Sequence, residues 1–254
     1  MNYNFENKVA FVTGAGSGIG EATARMFARS GASVVLTDVN TESIKRIADE
    51  LTDEGYQVLA IPCNVGKEED VKAAVEKTVE VFGRLDFAFN NAGIQVPVAK
   101  TADVESADFE RVLQINLLGV FYCMKYQIKQ LERQGEGGSI VNVSSQDAIV
   151  GTATLGPYSA AKIGIIGLAK CTALEYAEQS IRVNMIAPGM IMTPMVEQAI
   201  KDHPEHMRNL IDIIPQKRTG SPENIASCAL YLCSDEASFM TGQTITIDGG
   251  FTVK

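Results

Sequence analysis

Short unbroken apolar runs recur along the chain, and between them apolar residues return every three or four positions. A run of that length reads as a strand buried on both faces, and the longer spacing as a helix laid over it. The runs lie at 8–13, 33–38, 57–64, 85–90, 138–144, 182–187 and 244–247. Ile19, Ala22, Thr23, Met26 and Phe27 mark one helix face. Ile44, Ile47, Ala48 and Leu51 mark a second, and Val71, Ala74, Val75, Thr78, Val79 and Phe82 a third. Strand and helix alternating with short connections predict an α/β fold: a doubly wound parallel sheet of about seven strands, helices on both faces, right-handed crossovers. No linker or charge block interrupts the pattern, so one domain over residues 1–254 is expected.

Two predicted helices, 109–131 and 158–176, are apolar nearly all round. A helix against one sheet face needs one apolar stripe, so the second apolar side predicts contact with another copy, a homo-oligomer. Residues 190–216 are rich in Met, Pro and charge and read as a lid over a substrate. Ser221 and Pro222 fit the N-cap and first position of a last helix.

Composition narrows the partners. A net charge of −9 opposes a nucleic-acid or anionic-membrane partner. The cysteines (Cys63, Cys123, Cys171, Cys228, Cys233) are odd in number and form no Cys-x-x-Cys pair, which fits a reduced, cytoplasmic chain with each thiol a small buried hydrophobe. Residues 1–7 do not read as a signal peptide, and no apolar run reaches the ~20 residues of a membrane span. His203 and His206 sit three apart without an evident third ligand, so no metal site is expected.

The candidate chemistry falls at strand ends. Gly14, Gly18 and Gly20 follow the first strand as Gly-x-x-x-Gly-x-Gly and open a helix, a place where backbone N–H groups meet a pyrophosphate. Asp38 ends the second strand and suits the two hydroxyls of an adenosine ribose while repelling a 2′-phosphate; it is also a candidate N-cap. NAD is therefore expected over NADP. Tyr158 and Lys162 stand four apart, on one helix face. A phenol ionises near about 10, and a neighbouring ammonium lowers that, which makes the pair a candidate proton-transfer device. Ser145 ends the fifth strand, where open α/β sheets bind ligands. Asn116 is an amide in an apolar helix, satisfying local backbone or holding a water or Lys162 near the site.

Taken together, TGAGSGIG, NNAG, Asn116, Ser145, YSAAK, Pro188-Gly189 and the IDGG near residue 250 occur in one order and spacing. In these the chain resembles the short-chain dehydrogenase/reductase family nearly end to end, and its fold is expected to be Rossmann-like. The resemblance implies that Tyr158 is the general acid/base, that Lys162 lowers its pKa and holds the nicotinamide ribose, that Ser145 rather than Ser144 holds the substrate oxygen, and that Asn116 holds a water linking Lys162 to solvent. It implies a cofactor site of Gly14, Ser17, Gly18, Ile19, Asp38, Asn91, Ala92, Gly93, Pro188, Gly189, Ile191 and Thr193. Asn64-Val65 stands where the family usually has Asp-Val for the adenine, and Asn64 can still accept through its carbonyl oxygen. A homotetramer is implied likewise. Gln95, Val96, Gln146, Ala148, Leu155, Met190 and Met195 are the expected substrate pocket: mostly apolar, without an arginine. That favours an uncharged secondary alcohol or its ketone. An NADP-linked 3-oxoacyl carrier-protein reductase is disfavoured by Asp38, and a non-catalytic NAD-binding scaffold by the intact Ser145, Tyr158, Lys162 and Asn116 set.

Overall fold

The computed structural model describes residues 3–95 and 97–254. Seven strands form one parallel sheet: β1 (Val9–Thr13), β2 (Ser33–Asp38), β3 (Val58–Pro62), β4 (Phe87–Asn90), β5 (Gly138–Val143), β6 (Ile181–Pro188) and β7 (Thr244–Ile247). Their order is β3-β2-β1-β4-β5-β6-β7. It reverses between β1 and β4, which leaves a crevice above their carboxyl ends. Register brings Thr13 beside Asn90 and Asn90 beside Asn142, so the chemistry-bearing loops leave the sheet at one level.

The central strands are buried throughout, as their unbroken apolar sequences require; in β1 all five residues are buried. On one face Phe27, Leu36, Ile44, Ile47 and Leu230 pack under α1 (Gly18–Arg29), α2 (Thr41–Asp53) and α9 (Pro222–Cys233). On the other, Phe11, Val75, Met124, Leu131 and Ile165 pack under α3 (Glu68–Phe82), α5 (Gly119–Gln134) and α6 (Gly156–Tyr176). The amides of Asn90 and Gln127 exchange hydrogen bonds at 3.0 and 2.8 Å, and Asn90 also donates to Asn142 at 2.9 Å. These buried amides satisfy one another and tie α5 to β4 and β5 below the crevice.

The helix expected over 109–131 is divided. An α-helical turn, α4 (Ser106–Val112), runs into a π-helical turn at Leu113–Leu118 and continues as α5. Within that turn Asn116 is fully buried. Gly119 follows it where a Cβ would stand 2.9 Å from Val65 Cγ2, so the close approach to Val65 needs a residue without a side chain. Residues 190–216 hold two helices, α7 (Pro194–Asp202) and α8 (Pro204–Asp212), each with Pro in its first turn. Pro222 opens α9, and Ser221 N–H donates to Asn224 Oδ1 at 2.9 Å.

Cys63, Cys123 and Cys233 are buried as expected; Cys228 is partly covered and Cys171 is exposed, because it lies on the outer side of α6. Both histidines are exposed, and among the described residues no His, Cys, Asp and Glu cluster could hold a metal. No described helix is long and apolar enough to cross a membrane.

Candidate active site

The glycine loop after β1 is shaped by contacts that exclude side chains. A Cβ on Gly20 would lie 2.0 Å from the Gly14 carbonyl oxygen. Gly14 itself has φ +63°, a conformation that glycine adopts without strain. The turn after β4 clamps this loop: Asn91 and Ala92 N–H donate to Thr13 Oγ1 at 2.9 and 3.0 Å, and Asn91 Nδ2 donates to the Thr13 and Gly14 carbonyls. Ser17 stands at the N-cap of α1 without a side-chain capping bond, so the first N–H groups of that helix keep their donor capacity toward the cleft. Residues present here fit a dinucleotide: uncapped N–H donors at a helix start suit a pyrophosphate.

Asp38 closes the far end. Its Oδ2 accepts from Gly16 N–H at 3.0 Å and its Oδ1 from Asn40 N–H at 2.9 Å. It is not the N-cap of α2; Asn40 takes that place and accepts from Ser43 N–H at 3.1 Å. Asp38 is held by backbone donors, and its carboxylate carries no cation in those bonds.

At the other end, α6 starts so that Tyr158 and Lys162 fall on its cleft side. Lys162 is 3% exposed, and its Nζ donates to the Val143 carbonyl at 2.9 Å and lies 5.6 Å from the Tyr158 ring centre. Ser144 turns its hydroxyl to the Lys162 carbonyl at 2.9 Å, which pins α6 to β5. Ser145 Oγ instead donates to Asp147 Oδ2 and accepts from Asp147 N–H, both at 3.1 Å. The two serines thus differ in partner: Ser144 is tied to α6, and Ser145 to its own turn.

Electrostatics differ from the expectation for the Tyr-Lys pair. Burial pushes the Tyr158 phenol up to about 12; the Ser145 hydroxyl pulls it down less, and the Asp147 charge adds to the rise. Burial also pushes Lys162 down to about 8. Taking either charge from water is costly, and in this arrangement Lys162 Nζ is turned to the Val143 carbonyl.

Asn116 bonds neighbouring backbone: its Oδ1 accepts from Ile94 N–H and its Nδ2 donates to the Ile94 carbonyl, both at 2.8 Å. It still neighbours Lys162, because a Cβ on Gly93 would meet Asn116 Oδ1 at 3.2 Å and Lys162 Nζ at 3.5 Å. The π-helical turn is what points this amide inward; such turns are frequent at functional sites.

One cleft of about 640 Å³ gathers Gly14, Ser17, Gly18, Ile19, Asp38, Asn91, Ala92, Gly93, Ser145, Tyr158, Lys162, Pro188, Gly189, Ile191 and Thr193. Of the expected substrate residues, Gln95, Gln146, Leu155, Met190 and Met195 line it. Ala148 does not; it sits inside the turn after Ser145, where its N–H donates to the Ser145 carbonyl at 3.0 Å. Asn64 and Val65 are also outside this wall. Asn64 Oδ1 accepts from Gly66 N–H at 3.0 Å, and Val65 is buried against Gly119. Val96 lies outside the described residues. Sequence reasoning missed Asp147, Thr152, Met207, Leu210, Ile214 and Phe251, all of which line the cleft. Asp147 had a signal: an acid two residues past the strand-end serine. Phe251 had none, because it reaches the cleft from beyond β7.

Comparison with known proteins extends this geometry. A family model described as "Enoyl-(Acyl carrier protein) reductase" matches residues 14–252. The chain is 41% identical over 254 residues to a cyclohexanol dehydrogenase of Acinetobacter sp. (strain SE19), covering all of this chain and 98% of that one. It is 41% identical over 249 residues to a 3-oxoacyl-[acyl-carrier-protein] reductase of Thermotoga maritima, covering 98% and 99%. The crystal structure of levodione reductase superposes with a TM-score of 0.93 at 38% identity, covering 98% of this chain and 99% of the other.

Proposed function

This chain belongs to the short-chain dehydrogenase/reductase family, and on that premise we propose that it is an NAD(H)-dependent oxidoreductase interconverting an uncharged secondary alcohol and its ketone. Oxidoreductase chemistry with a nicotinamide cofactor is the family's. The observation that carries the finer reading is one cleft with Asp38 at one end and Ser145, Tyr158 and Lys162 at the other. Asp38 offers a carboxylate to paired ribose hydroxyls and repels a 2′-phosphate. The apolar wall of Leu155, Met190, Met195 and Leu210 offers an anionic substrate no cationic partner.

The bound cofactor supplies the hydride acceptor or donor. For oxidation, Tyr158 takes the carbinol proton at its phenolic oxygen. Ser145 holds the same substrate oxygen and steadies the charge that develops on it. Lys162, next to the phenol, favours phenolate when its ammonium turns from the Val143 carbonyl. A positively charged nicotinamide ring favours phenolate further. Asn116 fixes the 94 backbone and thereby the turn that carries Gly93 beside Lys162.

The second reading is an NADP-linked 3-oxoacyl carrier-protein reductase, favoured by the 41% identity to such an enzyme. Asp38 opposes it. A single domain with a substrate-facing lid at about 190–216 and a cytoplasmic location complete the reading. The homo-oligomer, a tetramer by family, is supported by apolar residues left open on α6: Leu174 is 81% and Ile163 54% exposed. Turnover with NAD and NADP across secondary alcohols, beside Tyr158→Phe, tests the assignment. NAD-linked turnover that disappears in the variant while NADH still binds is expected; wild-type turnover in Tyr158→Phe overturns it.

A further inference from the structure

The substrate end of the cleft carries one carboxylate whose hydrogen-bond partners bring no positive charge. Asp147 lies in the short turn between β5 and α6, lines the cleft and is 9% exposed. Its Oδ2 accepts from Ser145 Oγ at 3.1 Å and its Oδ1 from Thr152 Oγ1 at 2.5 Å. Both partners are hydroxyls, and neither brings a positive charge. A carboxylate has about four lone-pair sites, and these bonds fill two. A substrate that enters strips water from what remains. If the substrate is apolar there, a buried carboxylate is left short of donors, which is costly. A carboxylate or phosphate in the same place is repelled. A hydroxyl is the neutral group that completes the shell.

The position of that hydroxyl follows from Ser145. On the reading above, Ser145 Oγ holds the reacting oxygen, and the same Oγ is 3.1 Å from Asp147 Oδ2. The reacting oxygen and the carboxylate are therefore at most about 6 Å apart, two hydrogen bonds end to end. A donor on the carbon next to the carbinol reaches that span. A donor several carbons away is carried toward the lid instead.

We propose that Asp147 is a specificity residue that accepts a hydrogen bond from a second hydroxyl beside the reacting carbon, so that the preferred substrates are vicinal diols and the α-hydroxy ketones they form. This rests on the secondary-alcohol reading of the site. The chemistry balances without a further reactant. The carbinol C–H hydride passes to the oxidised nicotinamide, the O–H proton to Tyr158, and the C–O single bond becomes C=O. The second hydroxyl is unchanged and stays on Asp147. In the absence of substrate the same carboxylate holds the Ser145 proton, so Asp147 also positions Ser145, and loss of Asp147 lowers turnover of every alcohol to some degree. The ratio between substrates separates the two roles.

The test uses the full chain with NAD and measures kcat/KM for cyclohexanol and for cis- and trans-cyclohexane-1,2-diol, in wild type, Asp147→Ala and the nearly isosteric Asp147→Asn. The wild type should favour one diol isomer over cyclohexanol at least tenfold, chiefly through KM. Asp147→Ala should lower that ratio at least tenfold, and Asp147→Asn should lower it less, because an amide oxygen still accepts. Equal loss on diol and mono-alcohol would reduce Asp147 to a positioning role and overturn the proposal, as would a wild type with no diol preference. Absence of NAD-linked turnover on all three compounds would instead remove the secondary-alcohol reading on which it stands. Thermal melts of both variants identify any loss that comes from unfolding, and Asp147→Asn carries the test if Asp147→Ala does not fold.

Discussion

At the glycine-loop end of the cleft the wall is mostly main chain; at the Tyr158 end it is mostly side chain. The first is made by glycines, the uncapped start of α1 and backbone N–H groups clamped by Thr13 and Asn91. The second is made by Leu155, Met190, Met207, Leu210 and Phe251, brought from four separate stretches, with Ser145, Asp147 and Tyr158 set among them. A main-chain wall depends on dihedral angles and close approaches, so it tolerates few substitutions and serves one ligand. A side-chain wall is changed by exchanging single residues, so it suits a part of the site that differs between substrates.

The contrast can be broken most strongly at the junction. Lys162→Met should lower turnover roughly thousandfold, as removal of a group that assists proton transfer does. The same variant should raise stability at neutral pH. Lys162 ionises at about 8 in the folded chain against 10.5 ordinarily. Below about 8 both states hold the proton, and the cost of the buried charge, about 3 kcal/mol, is fully present. Between about 8 and 10 the unfolded chain keeps the proton and the folded chain loses it, so wild-type stability should rise with pH. Above about 10 Tyr158, held up to about 12, works the other way. Denaturant titrations of wild type and Lys162→Met across pH 7–10 check this; a flat difference between them would refute it.

Next in size, and on the reading of Asp38 proposed above, Asp38→Asn removes the charge that repels a 2′-phosphate while keeping the side chain's shape. The NAD-over-NADP preference in kcat/KM should fall roughly thirtyfold, the worth of a charged hydrogen bond. An unchanged ratio would place the discrimination elsewhere. Gly20→Ala sharpens the main-chain half of the contrast, because its Cβ would stand 2.0 Å from the Gly14 carbonyl. About 1–3 kcal/mol should be lost, with a lower melting temperature and weaker NADH binding by fluorescence titration. Phe251→Ala acts on the side-chain half and should be mildest. KM for a secondary alcohol should rise about threefold to tenfold while the cofactor affinity holds. A fall in NADH affinity instead would mean that Phe251 serves the other end.

Much of the main-chain half was legible. Gly14, Gly18 and Gly20 carry their geometry in their identity, since each stands where a Cβ meets backbone or a neighbouring side chain within 3.1 Å. Asp38 was legible as the end of β2, though its N-cap alternative passed to Asn40. Ser145, Tyr158 and Lys162 were legible from strand end and helix spacing. The pair's shifts were not, because they come from burial, which spacing does not show: it raised Tyr158 and lowered Lys162. The division at Leu113–Leu118 was hidden as well: periodicity sees an apolar stripe and cannot see that the Ile94 backbone draws Asn116 inward.

By itself the sequence determined the alternation of strand and helix, the parallel sheet and the place of Tyr158 and Lys162 on one helix face. Those follow from local rules, the two-residue and 3.6-residue periods and the residues that a turn admits. Only the tertiary structure decided which side chains wall the substrate. Asp147, Met207 and Phe251 meet in one cleft because the turn after β5, α8 and the stretch after β7 lie on the same side of the sheet. Contact between segments far apart along the chain depends on strand order and register, and no local pattern carries either.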